Sequence, residues 1–182
     1  MIKTTARLLK ELPNMITLLR IVLSCFLAFY LLNYFHSITI PILVFLAIFL
    51  TDFLDGKIAR FYGISSPFGA VFDVLADLFF IVSSYLVLCS FQVIPFWFFL
   101  LTLFKFSEFV ITSFVLKNKF SRKSIFVFDS LGRLTAGLFY VIPLLTYVSF
   151  HFSQSIYLFT INIFIYIITF MVLLSSFYRI WN

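Results

Sequence analysis

Four aspartates, Asp52, Asp55, Asp73 and Asp77, stand where aspartates are costly, inside two consecutive apolar stretches of the chain. A carboxylate near the centre of a bilayer costs on the order of 3 kcal/mol on insertion scales, so four together need cationic partners. Their spacing favours convergence. Asp52 and Asp55 are three residues apart on one expected helix and Asp73 and Asp77 four apart on the next, so each pair shares a face, and Gly69 joins the second stripe. Hard carboxylate oxygens suit Mg²⁺, Mn²⁺ or Ca²⁺. Paired ions of this kind clamp phosphate oxygens while a nearby carboxylate accepts a proton from the attacking hydroxyl, which is phosphoryl-transfer chemistry. Gly56 and Gly69 allow a ligand close to the backbone, and Arg60 is placed to hold a phosphate. Two other uses stay open: ion pairing with Lys57, Arg60 or Arg133, or a proton or ion relay as in a transporter.

The elements that must carry these residues follow from composition. Of 182 residues 63% are hydrophobic, 29 are Phe and only 11% are charged, which excludes a water-soluble globule. Charge-free runs from Ile21 to Thr51, Leu78 to Phe104 and Leu134 to Tyr178 each exceed the roughly 20 residues that cross a bilayer as a helix. No period-two alternation or regular turn spacing supports a barrel, so the expected fold is an all-α integral membrane protein. Six transmembrane helices are expected, near 15–35, 38–60, 67–90, 94–116, 131–150 and 155–177, with breaks at Asn33–Ser37, Ser90–Pro95 and His151–Ser155. Pro41, Pro67 and Pro95 suit first helical turns. Residues 1–14 read as an amphipathic juxtamembrane helix rather than a cleavable signal, ended by Pro13 and followed by a membrane domain over 15–182.

An even number of spans puts both termini on one side, together with twelve of the thirteen basic residues, Arg20 among them. By the positive-inside rule that side is the cytoplasm, and the carboxylates, about 10 Å below that face, open toward it. The net charge of +6 thus marks topology and the anionic leaflet, with no nucleic-acid partner expected. Cys25 and Cys89 sit alone in apolar runs and read as packing residues, and His36 with His151 makes a poor metal site.

The string Asp52-x-x-Asp55-Gly56-x-x-Ala59-Arg60, eight residues, then Gly69-x3-Asp73-x3-Asp77 resembles the signature of the CDP-alcohol phosphatidyltransferases at all eight defined positions. The resemblance implies an integral-membrane enzyme of phospholipid biosynthesis in which an alcohol attacks the phosphate of CDP-diacylglycerol and CMP leaves. It implies that Asp52, Asp55, Asp73 and Asp77 border two ions, Mg²⁺ or Mn²⁺, with Asp77 as catalytic base. Gly56, Ala59, Arg60 and Gly69 would accommodate the nucleotide, and the enzyme would be a homodimer in a cytoplasmic (inner) membrane.

Pro13 to Arg20, Glu108-Phe109 and Ser130 to Thr135 are similar to the phosphatidylglycerophosphate synthase branch, which makes glycerol 3-phosphate the expected acceptor. Leu78 and Ser107 stand where that branch has a lysine and an arginine, so serine and inositol phosphate remain alternative acceptors, as does a member without catalysis. Lys105, Glu108, Arg122 and Arg133 are the candidate acceptor contacts. The basic cluster from Lys117 to Lys123 otherwise reads as a positive-inside flank.

Overall fold

The computed structural model describes the backbone of residues 2–62, 67–120, 130–152 and 154–181, and most side chains within them. Six helices and no strand occur among the described residues: α1 (Ile2–Asn33), α2 (Thr39–Tyr62), α3 (Pro67–Ser90), α4 (Phe96–Phe120), α5 (Ser130–Phe150) and α6 (Gln154–Trp181). Five carry segments long and apolar enough to cross a membrane, namely Leu12–Asn33, Thr39–Ile58, Phe68–Ser90, Phe96–Ser113 and Tyr157–Phe177. The chain is a multi-pass membrane protein. The sixth expected crossing falls on α5, whose apolar segment Leu134–Phe150 is shorter than the other five.

The order and type of the helices match the expectation, because long runs of Phe, Leu, Ile and Val leave a lipid-exposed backbone only internal hydrogen bonds. Pro67 opens α3 and Pro41 lies in the first turn of α2, where a missing N–H costs nothing. Pro95 stands one residue before α4 and accepts the Phe98 N–H at 3.0 Å. One boundary differs. Pro13 does not end a separate surface helix, since α1 continues through it as one helix. The Thr17 hydroxyl donates to the Pro13 carbonyl at 3.0 Å, anchoring the turn that follows the proline.

The chain divides into two compact units, residues 1–87 and 88–182. In the first, α1 packs against α2 through a stripe of buried residues at spacings of three and four, Thr17, Arg20, Ser24, Leu27 and Leu31. The α2 stripe runs Phe45, Ile48, Thr51 and Asp55, and α3 adds Ala76, Phe80 and Ser84. Phe80 of α3 meets Phe45 and Phe49 of α2 edge to face, with ring centroids 6.0 and 6.2 Å apart. Each of the α1 and α2 stripes is apolar at one end and polar at the other. Meanwhile Leu18, Leu19, Val22 and Phe26 point outward, the inverse of a water-soluble helix.

In the second unit α5 and α4 pack on α6. Phe98 of α4 meets Phe139 of α5 with ring centroids 5.9 Å apart. The α6 stripe Ile161, Ile165, Ile168, Val172 and Ser175 is buried. The Tyr157 hydroxyl donates to the Val93 carbonyl at 2.6 Å in the turn before α4. That turn places Gln92 at φ 56°, a left-handed residue where the chain reverses after α3.

The continuity of α1 has a measurable consequence. A proline inside a helix removes one backbone hydrogen bond and crowds the preceding turn. Pro13→Ala is therefore expected to stabilise the detergent-solubilised protein by about 2 kcal/mol, read as a rise in melting temperature. A fall would indicate a proline-ended surface helix instead.

Candidate active site

The C-terminal half of α2 and the N-terminal half of α3 deliver the four aspartates, and α1 supplies their partner. Arg20 is wholly buried and turns its guanidinium into the centre of the group. Its Nη2 lies 3.1 Å from Asp52 Oδ1 and donates to Asp55 Oδ2, while Nη1 donates to Asp73 Oδ1 at 2.9 Å and to Asp77 Oδ1. The Ser24 hydroxyl donates to the Arg20 carbonyl at 2.7 Å, one turn further along α1. Thr17, one turn earlier, holds its hydroxyl 3.4 Å from Asp55 Oδ2.

Two features of this arrangement decide its chemistry. First, four carboxyl groups face a single guanidinium among the described residues, so acid exceeds base inside a membrane protein. Second, Asp55 is 5% exposed whereas Asp52, Asp73 and Asp77 are 41%, 39% and 30%, which leaves the oxygens one walled side and one accessible side. One oxygen each from Asp52, Asp55 and Asp73 lies within 4.8 Å of the others. An accessible trio of hard oxygens carrying surplus negative charge fits a divalent cation of the Mg²⁺ or Mn²⁺ type. Asp77 stands outside that trio but shares Nη1 with Asp73.

The other sequence candidates fall into three groups. Gly56 follows Asp55 and Gly69 precedes Asp73 by one helical turn, both partly exposed beside the carboxylates. Ala59 and Arg60 lie in the backbone of α2 and Arg133 in that of α5, but their side chains, like all of Arg122, lie outside the described residues. Lys105 and Glu108 belong to the second unit. There the Lys105 ammonium bonds Glu108 Oε2 and Ser176 Oγ, each at 3.1 Å, and Ser176 donates to the same Glu108 oxygen at 2.6 Å. This buried group ties α4 to α6.

Lys57, one of the alternative ion-pair partners, is exposed and sits 5.7 Å over the Phe53 ring. The described partner of the carboxylates is Arg20, which the spacing argument did not include. Its signal was present, however. Arg20 lies within the first apolar span, where a charge requires a partner, and it falls on one stripe with Thr17 and Ser24.

A sequence profile of the CDP-alcohol phosphatidyltransferase family matches residues 10–175. A protein of Aquifex aeolicus named CDP-diacylglycerol--glycerol-3-phosphate 3-phosphatidyltransferase is 33% identical over 135 residues, covering 69% of this chain and 75% of its own. One of the same name from Rickettsia felis is 41% identical over 73 residues, 39% of this chain and 40% of its own. A probable cardiolipin synthase (CMP-forming) of Drosophila melanogaster is 35% identical over 86 residues, 47% of this chain and 26% of its own. The chain thus spans less than half the length of the rickettsial relatives it matches.

Surplus acid around Arg20, the one described guanidinium, leaves some carboxylate–carboxylate repulsion in the metal-free site. Asp52→Asn, at the most exposed carboxylate, is expected to raise metal-free stability by about 1 kcal/mol, measured as melting temperature in EDTA. The same variant should lose the further stabilisation that added Mn²⁺ gives the parent protein. A lower melting temperature in EDTA would mean that attraction to Arg20 outweighs the repulsion.

Proposed function

Because the chain belongs to the CDP-alcohol phosphatidyltransferase family, we propose that it transfers a phosphatidyl group from CDP-diacylglycerol to glycerol 3-phosphate and releases CMP. The observation that carries this reading is the meeting of all four motif aspartates around one point, with three of them able to share a cation. The acceptor is supported by the names of the Aquifex and Rickettsia relatives.

The acceptor hydroxyl oxygen attacks the phosphorus that bears diacylglycerol, the bond from that phosphorus to the CMP oxygen breaks, and the hydroxyl proton passes to Asp77. Asp52, Asp55 and Asp73 would hold divalent cations, Mg²⁺ or Mn²⁺ and two in number, with Asp77 at their border. When bound, such ions neutralise the phosphate oxygens and the leaving CMP. Gly56 and Gly69 leave room for the cytidine diphosphate, with Ala59 and Arg60 completing that side. The half-exposed carboxylates suit a donor that is part nucleotide and part lipid. Lys105, Glu108, Arg122 and Arg133 are the acceptor-side candidates; for Lys105 the pairing with Glu108 and Ser176 favours a helix tie instead.

We further read the enzyme as a homodimer with six crossings in a cytoplasmic (inner) membrane, both termini and the active site facing the cytoplasm, on the positive-inside distribution. Helices α2 and α3 run unbroken past the aspartates, so the discontinuous helices that build transporter sites lend no support to the relay alternative.

Purified protein with CDP-diacylglycerol and Mg²⁺ or Mn²⁺ is expected to release CMP with glycerol 3-phosphate and far less with serine or inositol phosphate. Asp77→Asn should lower kcat by about 10²- to 10⁴-fold while the protein still binds Mn²⁺. Release that tracks serine or inositol phosphate would reassign the acceptor, and no release with any of the three would refute the transfer reading.

A further inference from the structure

Arg20 lies outside the aspartate motif, yet its guanidinium reaches every carboxylate in it. Its Nη1 and Nη2 take one oxygen from each of the four carboxyl groups, including the three, Asp52, Asp55 and Asp73, that could share a cation. Metal–oxygen bonds of about 2.1 Å and charge-assisted N–H···O contacts of about 2.8 Å draw the same carboxyl groups to different centres. Two positive centres sharing them also repel each other in a low-dielectric site. Guanidinium and metal therefore compete for the same four carboxyl groups.

Charge counting gives the exchange a direction. Among the described residues four carboxyl groups are served by one cation, Arg20. Two divalent ions would balance four carboxylates by themselves, leaving the guanidinium as surplus positive charge beside the site. A guanidinium keeps its charge at any working pH, and its fork fits a phosphate as well as a carboxylate. An ammonium could not take over both roles equally.

We propose that Arg20 is an exchangeable counter-ion: it holds the four carboxylates together without metal, yields their oxygens to divalent cations, and then contacts a phosphate oxygen of the nucleotide. The exchange also releases Asp77 Oδ1 from Nη1, so both oxygens of the group assigned as base are clear of the guanidinium in the loaded enzyme. Arg20 is thus a positioning residue before metal arrives and a phosphate contact afterwards. This rests on the reading above that the site takes divalent cations, and it adds an order: metal first, nucleotide second.

The test measures binding on the full chain in detergent, independent of turnover. Mn²⁺ affinity without nucleotide is read by electron paramagnetic resonance for the parent, Arg20→Met and Arg20→Lys. CDP affinity at saturating Mn²⁺ follows by calorimetry. Arg20→Met is expected to bind Mn²⁺ about tenfold more tightly and CDP about tenfold more weakly, with Arg20→Lys between. Should Arg20→Met not fold, Arg20→Lys alone carries the comparison, because an ammonium serves fewer carboxylates than the fork. Unchanged or weaker Mn²⁺ binding in the variants would make Arg20 a fixed scaffold and overturn the exchange. Tighter Mn²⁺ with unchanged CDP binding would overturn the phosphate contact. A parent protein that binds no Mn²⁺ would refute the functional reading itself, which separates the two failures.

Discussion

The structure of the first unit is governed by one electrostatic constraint: four carboxyl groups sit within membrane helices, and among the described residues a single guanidinium meets them. A lone buried charge in such a setting is prohibitive, and a pair breaks even only with close geometry and several hydrogen bonds. Arg20 satisfies this by reaching across α1 to α2 and α3 at once. The helices are arranged to permit it. On α1 the buried stripe passes from Thr17, Arg20 and Ser24 to Leu27 and Leu31; on α2 it passes from Phe45 and Ile48 to Thr51 and Asp55. Antiparallel packing brings the polar ends level, so the apolar halves set the register while the polar halves form the site.

The second unit handles the same constraint differently. Lys105 and Glu108 are one acid and one base, and Ser176 bonds both. Their charges cancel, and the group is closed in, with the side chains 6% and 11% exposed. The aspartate cluster has four acids to one base and is open on one side. Balanced, enclosed charge fixes one helix against another, whereas unbalanced, accessible charge is a standing demand for a cation. By that criterion the two buried polar groups differ in kind, although both are membrane ion pairs.

Much of this was legible in the residues. Long charge-free runs located the helices α2 to α6 to within about four residues of their ends, and α1 at its C-terminal end, because hydrophobic length is a local property. The pairing of aspartates on shared faces was equally local, following from spacings of three and four. What escaped was the identity of the counter-charge. Lys57 is near in sequence yet exposed, and the face of α1 that meets α2 is set by packing between helices, which no single-helix periodicity reveals. Arg20 was instead absorbed into the cytoplasmic flank, although its position inside the first span already required a partner. Pro13 misled for the converse reason: a strong local helix breaker was overridden by the continuation of α1 on both sides.

A charge cluster of the kind proposed to take metal must also exist before metal reaches it. Before any metal binds, the described counter-charge available to the aspartates is Arg20. A site of four carboxyl groups without an internal cation would hold its own helices apart by like-charge repulsion, most strongly where the dielectric is lowest. A cation that bound too well would leave the site permanently closed. Arg20 lies between these limits, since one positive charge spread over four acids draws α1, α2 and α3 together without satisfying any carboxylate fully. The shortfall in charge would keep the assembled site receptive, so on the proposed exchange the stability of the metal-free fold and the affinity for the ion depend on the same residue in opposite directions.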